Sequence, residues 1–281
     1  MKNQIVFIFC VIVYFLTPSI ANAKEPIAEK ENPFRIGLSL GYTFAGYKET
    51  TYDPLNRRLS NLTFLLDANI AKGNFLHSLN AGYYQGKADT DPPGKAVLNT
   101  TYDPVTGQPI YYAYYPAYTA HRAYLEYSLD HRLWGNQVLP GYLGGAFRAD
   151  AYLQFAHYPS ITGILSLDLH ATQKWIINHE NNLQISLSIP LIGYTVRPAY
   201  AGADEALIKY SAEEPLRLIT LGNFASLHNY WAVFGDIKYN HKINNLLNMY
   251  AGLGFELSHI NVPKQRRDAS LRLSSGIAFT F

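Results

Sequence analysis

The stretch 271–281, Leu-Arg-Leu-Ser-Ser-Gly-Ile-Ala-Phe-Thr-Phe, constrains the fold more than any other part of the chain. Leu271, Leu273, Ile277, Phe279 and Phe281 sit at odd positions, and Arg272, Ser274, Gly276, Ala278 and Thr280 at even ones. A period of two puts successive side chains on opposite faces, so this is a strand with one oily face and one polar face. It closes on an aromatic residue.

Segments of the same kind recur along the chain. Alternation predicts about ten strands, over 34–47, 59–71, 75–86, 117–129, 138–157, 160–177, 182–196, 227–242, 246–258 and 270–281. The connections alternate as well. Those at 71–74, 130–137, 177–181 and 242–245 are short and polar, and those at 48–58, 87–117, 197–226 and 259–269 are longer. Only 158–160 breaks the rule, and a different division of 138–177 would give eight or twelve strands.

Beyond residue 23 no apolar run approaches the roughly 18 residues of a membrane-spanning helix. Tyrosine is abundant, at 23 residues, and the alternating segments carry much of it. Only helices and closed barrels can cross lipid, because every backbone donor and acceptor must there be paired internally. The expected fold is therefore all-β, a transmembrane antiparallel up-and-down β-barrel of about ten strands. An even count in this range fits bacterial single-chain barrels. The formal charge of +2 is too small to point to a nucleic-acid partner.

The closing strand resembles that of Gram-negative outer-membrane β-barrels, a likeness of class that covers the whole chain after residue 23 and reaches no narrower family. In that class the terminal aromatic, here Phe281, belongs to the signal read by the barrel assembly machinery. The resemblance implies a multi-pass protein of the bacterial outer membrane, in contact with outer-membrane lipid and lipopolysaccharide. The N-terminus agrees. Lys2 opens a short basic start, 5–16 is almost continuously apolar, Pro18 follows, and Ala21-Asn22-Ala23 fits small-x-small cleavage. The expected division is an export signal over 1–23 and a barrel over 24–281. The single cysteine, Cys10, falls inside the signal, which leaves the barrel without disulfide or thiol chemistry.

The register divides the side chains. Phe34, Phe75, Tyr127, Trp175, Tyr239, Phe279 and Phe281 should face outward near the short-turn rim, and Phe44, Tyr83, Phe147, Trp231 and Phe255 near the other, as interfacial aromatic girdles do. No Lys, Arg, Asp or Glu falls on that face within the spans. Facing inward are Arg35, Arg122, Arg148, Lys174, Lys238 and Arg272 together with Asp67, Glu126, Asp150, Asp168, Asp236 and Glu256. The two signs balance. A barrel of this size has a narrow bore, and unpaired buried charge is expensive. The expectation is a salt-bridged lumen; the alternative is a narrow passive channel, although a pore selective for charged solutes would favour one sign.

Candidate chemistry is sparse. Phospholipase and lipid A deacylase barrels use Ser and His on strands, and omptin proteases use Asp/His groups at the outer rim. Ser226 and His228 come nearest, two residues apart at the outer start of the eighth predicted strand, where a nucleophile and base could meet. Their order does not match the phospholipase pattern, and the omptin pairs are missing. His131, His179 and His241 fall in three predicted turns, too far apart for one metal, and 89–94 begins like a calcium loop without its later ligands. His170 lies inward beside Asp168. No cofactor or metal is expected.

One echo is internal. Thr-Thr-Tyr-Asp-Pro occurs at 50–54 and again at 100–104, and Asp-Pro starts tight turns. The second copy leads into a tyrosine run, and Tyr111, Tyr112, Tyr114, Tyr115 and Tyr118 are the best candidates for a binding surface, since tyrosine brings large, rigid, amphipathic contact area; they could also fold over the barrel mouth. The expected function is a non-enzymatic barrel whose outer loops meet an external partner, with a channel as the alternative and a lipid or peptide hydrolase third.

Overall fold

A computed structural model describes residues 34–49, 55–93, 97–114, 117–136, 138–155, 159–197, 209, 213–214, 217, 220–262 and 264–281. The expected export signal, 1–23, lies outside them.

Strands β1 (Phe34–Glu49), β2 (Asn56–Lys72) and β3 (Phe75–Thr90) form a meander, followed by a short hairpin of β4 (Val97–Tyr102) and β5 (Pro109–Tyr114). The meander resumes with β6 (Tyr118–Trp134), β7 (Gly141–Phe155), β8 (Pro159–Ile176) and β9 (Asn181–Val196). After β10 (Asn223–Ser226) come β11 (Tyr230–Lys242), β12 (Leu247–Ile260) and β13 (Arg266–Thr280). Ten of these pair in the order β1-β2-β3-β6-β7-β8-β9-β11-β12-β13, and β13 pairs antiparallel with β1. The result is a closed ten-stranded barrel, in which no long strand presents an unpaired edge. The hairpin β4–β5 is a separate two-stranded sheet, and β10 adds to the end of β9 beyond the reach of β11.

The two ends of the barrel differ. Both termini of the described chain and the four short connections lie at one end, called here the turn end. The longer connections, including the β4–β5 hairpin, lie at the loop end. The long strands run from 13 to 18 residues, well beyond the roughly 9–11 needed by a tilted membrane-crossing strand.

The alternation seen in the sequence becomes two faces. Leu38, Leu40, Phe44, Leu62, Phe64, Leu125, Leu165, Leu167, Leu271 and Leu273 stand exposed around the outside. Their inward neighbours are buried, among them Ser39, Thr43, Asn61, Thr63, Asp67, Arg122, Glu126 and Ser166. Below Arg58 and Lys87 at the loop end and above Lys72 at the turn end, no Lys, Arg, Asp or Glu among the described residues faces outward. Lumen glycines make room for larger partners: a Cβ on Gly37 would come within 2.9 Å of Asp67 Oδ1, and one on Gly254 within 2.6 Å of Arg272 Nη2. β9 carries an extra residue where its register with β8 slips, and Pro190, which has no N–H to give, faces Asp168 there.

Four expectations are corrected. Most strands reach farther than predicted, mainly toward the loop end, because Arg57, Thr90, Ser258, Ile260, Arg266 and Asp268 continue the inward parity, whereas β7 and β11 are each shorter than expected. Residues 130–134, read as turn because they are polar, belong to β6; its polar face simply continues into the lumen at Asp130, and the turn follows at Gly135 with φ 85°. His131 and His241 accordingly lie on strand ends, not in turns: His131 packs edge-on against Phe75 at 5.0 Å, and His241 Nδ1 is 3.0 Å from Asn181 Oδ1. Tyr127 and Phe147, assigned to opposite rims, are direct cross-strand partners. The uncertain stretch 138–177 resolves into β7 and β8, with 156–158 between them.

Candidate functional site: the barrel interior

The lumen is built from one parity of ten strands, so its chemistry can be followed layer by layer. The deepest layer sits at mid-barrel. Arg122 on β6 donates through Nε and Nη2 to Asp150 Oδ1 on β7, at 3.1 and 2.8 Å. Its Nη1 and Nη2 also reach across the bore to both carboxylate oxygens of Glu256 on β12, the second at 2.9 Å. Arg148 donates Nε to Asp150 Oδ2 at 2.6 Å and Nη1 to Glu126 Oε2 at 3.2 Å. Forked guanidinium–carboxylate bonds of this kind are the strong members of their class. Aromatic rings close the gaps: Arg122 lies over the Tyr152 ring at 4.6 Å, and Arg148 over Phe234 at 3.8 Å and Tyr124 at 4.8 Å. All five charged side chains are 10% exposed or less, so the layer is nearly closed to solvent.

Above it, toward the loop end, the bore stays filled. Arg266 pairs with Asp268 at 2.8 Å and stacks on Tyr152 at 3.9 Å. The hydroxyl of Tyr47 donates to that of Tyr118, with Arg57 over the Tyr118 ring. Ala88, Tyr230, Ala232 and Ile260 complete a buried mouth. Arg197 donates to the carbonyls of Val262 and Lys264 at 3.0 and 2.8 Å, tying loop backbone to the rim.

Below it, toward the turn end, the packing opens. A cavity of about 100 Å³ is lined by Asp67, Asn80, Asp236, Lys238, Tyr250 and Arg272, and by the lower faces of Arg122, Glu126 and Arg148. Lys238 lies 3.6 Å from Asp236 and 3.9 Å from Asp67, and Arg272 lies 3.2 Å from Asp236. Tyr250 donates to Asp67 at 2.6 Å. Arg35 sits over the Tyr250 ring at 5.2 Å, with two of its nitrogens making no hydrogen bond. Lys174 lies over the Tyr142 ring at 5.7 Å. A single water needs only about 10–15 Å³ by this measure, so the cavity has room for several.

Of the inward charges expected from sequence, then, Arg122, Glu126, Arg148, Asp150 and Glu256 come together in one layer. Asp67, Asp236, Lys238 and Arg272 form a second, looser group, with Arg35 at its edge. Asp168 stands apart and accepts from Ser188 at 3.0 Å. His170 does not pair with Asp168; its Nδ1 lies 2.8 Å from Asp130 Oδ2, on the neighbouring end of β6. Asp130, Arg57, Arg197, Arg266 and Asp268 were missed, although each extends a parity already visible at Glu126, Leu59, Thr195, Ser270 or Arg272.

The surface set fares unevenly. β4 and β5 make a true hairpin, and its turn is the second Thr-Thr-Tyr-Asp-Pro copy. Asp103 Oδ1 accepts from the amides of Val105 and Thr106 at 2.8 and 2.9 Å, which holds that carboxyl below its usual range, and Gly107 closes the turn at φ 67°. The first copy, at 50–54, lies outside the described residues. Tyr111 is 72% exposed on the hairpin. The side chains of Tyr112 and Tyr114, and the whole of Tyr115, lie outside the described set. Tyr118 is not a surface residue: it begins β6 at inward parity and is buried in the mouth against Tyr47.

Ser226 ends β10, His228 lies in the following turn, and Ser226 Oγ is 2.6 Å from His228 Nδ1. Asn229 Oδ1 accepts from the Ser226 amide in the same turn. Among the described residues no carboxylate bonds to His228, so the contact has the form of a local turn cap rather than of an oriented base.

No protein-family model and no curated protein matches the chain. Solved structures similar to it include the outer membrane protease OmpT from Escherichia coli, at 6% identity over 92% of this chain and 99% of that one, TM-score 0.48. Neisserial surface protein A is similar over 88% of this chain and 97% of that one, at 8% identity and TM-score 0.36. The translocator domain of the autotransporter NalP from Neisseria meningitidis is similar over 100% and 97%, at 7% identity and TM-score 0.37. These likenesses are of architecture and carry no activity. In class, though not in any narrower family, the chain resembles the Gram-negative outer-membrane β-barrels.

Proposed function

We propose that the protein is an integral barrel of the bacterial outer membrane, with the loop end outside and the turn end facing the periplasm, and that its interior is a sealed, charge-paired core. The band of exposed Leu and Phe around a closed barrel supports residence in lipid, since a patch this large is a liability in water. The absence of outward charge from that band agrees, because one basic residue at the midplane costs roughly 2–4 kcal/mol. The observation that carries the sealed core is the bridge from Arg122 to Asp150 and, across the bore, to Glu256. In this reading the barrel is an anchor, and contact with an external partner falls to the β4–β5 hairpin, where Tyr102 and Tyr111 are exposed.

The test is conductance. Purified protein refolded into a planar bilayer is expected to insert, to migrate as a heat-modifiable band in gels, and to pass no discrete current steps. Steps in the folded wild type would replace this reading with that of a narrow passive channel. The turn-side cavity favours that second reading, since it already provides the lower half of a path. Deleting 99–114 should then leave the barrel folded while removing its surface contacts.

A further inference from the structure

Cross-strand register puts a basic row on the outside of the barrel just above the apolar band. Trp231 on β11 is opposite His259 on β12, His259 is opposite Arg267 on β13, and Arg267 is opposite Lys48 on β1. Directly opposed residues share a face, and this face is the one carrying Phe255, Leu271 and Phe44 two rows below. Neighbouring strands are about 4.8 Å apart, so His259, Arg267 and Lys48 span about 10 Å, the width of a single lipid headgroup rather than of a protein surface. Neither Lys48 nor Arg267 has an ion-pair partner among the described residues. Every inward arginine of the loop-side lumen is engaged, Arg266 with Asp268 directly behind this row. Arg58, also outward and near the same level, is held 3.7 Å from Asp91.

The outward cations of the loop end lie on one side of the barrel, on β13, β1, β2 and β3, where Lys87 joins Arg267, Lys48 and Arg58 one row or more below them. At the corresponding level β7, β8 and β9 present Leu153, Ile161, Gly163, Tyr194 and Val196 outward, with no cation among the described residues. The Trp231 ring packs on His259 at 6.0 Å and ends the row with an interfacial aromatic. Lys and Arg placed this way lay their stems along the apolar band and lift their charge to the headgroup level.

We propose that Lys48 and Arg267, flanked by His259, form a docking site for the phosphorylated headgroup of a glycolipid in the loop-side leaflet. The proposal rests on the membrane reading above. The occupant follows from position and charge. Two cations without an ion-pair partner, two rows above the exposed Phe44 and Leu271, call for an anion that is itself fixed at the end of acyl chains. A soluble anion would gain nothing from the band beneath.

The experiment uses the full barrel refolded in phosphatidylcholine vesicles doped with one of three probes: a diphosphorylated acylated glucosamine disaccharide, its dephosphorylated form, or phosphatidylglycerol. Lipid retained after detergent extraction is read by native mass spectrometry. The wild type is expected to keep the phosphorylated disaccharide in preference to the other two. K48Q/R267Q should lose at least about tenfold of that retention, given the contribution of each basic side chain near an anionic surface. K48R/R267K should keep it, and K72Q/K242Q, at the turn end, should be unaffected. Equal retention with and without phosphate, preference for phosphatidylglycerol, or undiminished retention in K48Q/R267Q would each overturn the site while leaving an inserted, heat-modifiable barrel intact. Failure of the wild type to insert would instead sink the membrane reading, and this site with it.

Discussion

The mid-barrel cluster around Arg122 and Arg148 and the turn-side cluster around Lys238 and Arg272 use the same kinds of side chain within one lumen. In the first, side chains are 3–10% exposed and bond through guanidinium forks, under Tyr152, Tyr124 and Phe234. In the second, Lys238, Asp236 and Arg272 are 19–24% exposed, and the lysine contacts lengthen to 3.6–3.9 Å around a cavity. Charge count does not distinguish the two; aromatic packing does. Where rings fill the space between strands the ions have only each other, and where serine, asparagine and glycine line the wall, water enters and shares the work. The first arrangement cannot absorb the loss of a partner and the second can.

That contrast can be broken by experiment. The largest effect is expected for R122M, which leaves Glu256 buried without its cation and Asp150 with Arg148 alone: about 3–5 kcal/mol should be lost, measured as the urea midpoint of unfolding from vesicles. K238M should lose no more than about 1 kcal/mol in the same assay, and an equal loss in the two variants would erase the distinction. Y118F, which removes the hydroxyl shared with Tyr47 in the filled mouth, is expected to lose about 1 kcal/mol. A change of that size without any gain in conductance would show that the mouth is sealed by packing, not by this bond. The smallest effect belongs outside the barrel. Because the folded hairpin holds Asp103 below its ordinary value, the turn is stabilised above about pH 3.9 and loses that support as pH falls through the folded value. D103A should therefore speed chymotryptic cleavage at Tyr111 at neutral pH and flatten its acid dependence, with global unfolding unchanged.

Much of this was legible because a strand's period is two and a single parity error would have turned the barrel inside out. Arg122, Glu126, Arg148, Asp150 and Glu256 could be placed inward from alternation alone, and so could the oily face of 271–281. Which inward charges would meet was not legible. Pairing depends on the stagger of strands around the barrel, so Glu256 meets Arg122 from across the bore, 134 residues away. His170 could be seen near Asp168 two positions along its strand, yet its partner is Asp130, reached through the β6–β7–β8 register. The polar ends of strands misled for a related reason. In a barrel with a wet or charged interior, polarity marks the lumen as often as it marks a turn, which hid Asp130, Arg266 and Asp268. Tyr118 shows the limit of composition: it belongs to the tyrosine run by sequence and to the plug by parity.

The seam between β1 and β13 sets the order in which such a chain can finish folding. Fifteen residue pairs zip the two strands together, the Phe281 amide donates to the Phe34 carbonyl at 2.8 Å, and the two rings stack at 6.2 Å. Bringing together segments more than 200 residues apart carries a loop-closure entropy of about 5 kcal/mol, so this ladder, unlike every other in the barrel, cannot nucleate locally and must come last. Until it forms, β1 and β12 or β13 are raw edges able to capture a strand from elsewhere. Once it has formed, Phe34 and Phe281, the two ends of the described chain, are neighbours. A short linker between them, with a new opening cut at 73–74 or 244–245, would give the same barrel with a different final seam, and a different pair of strands would then wait longest for a partner.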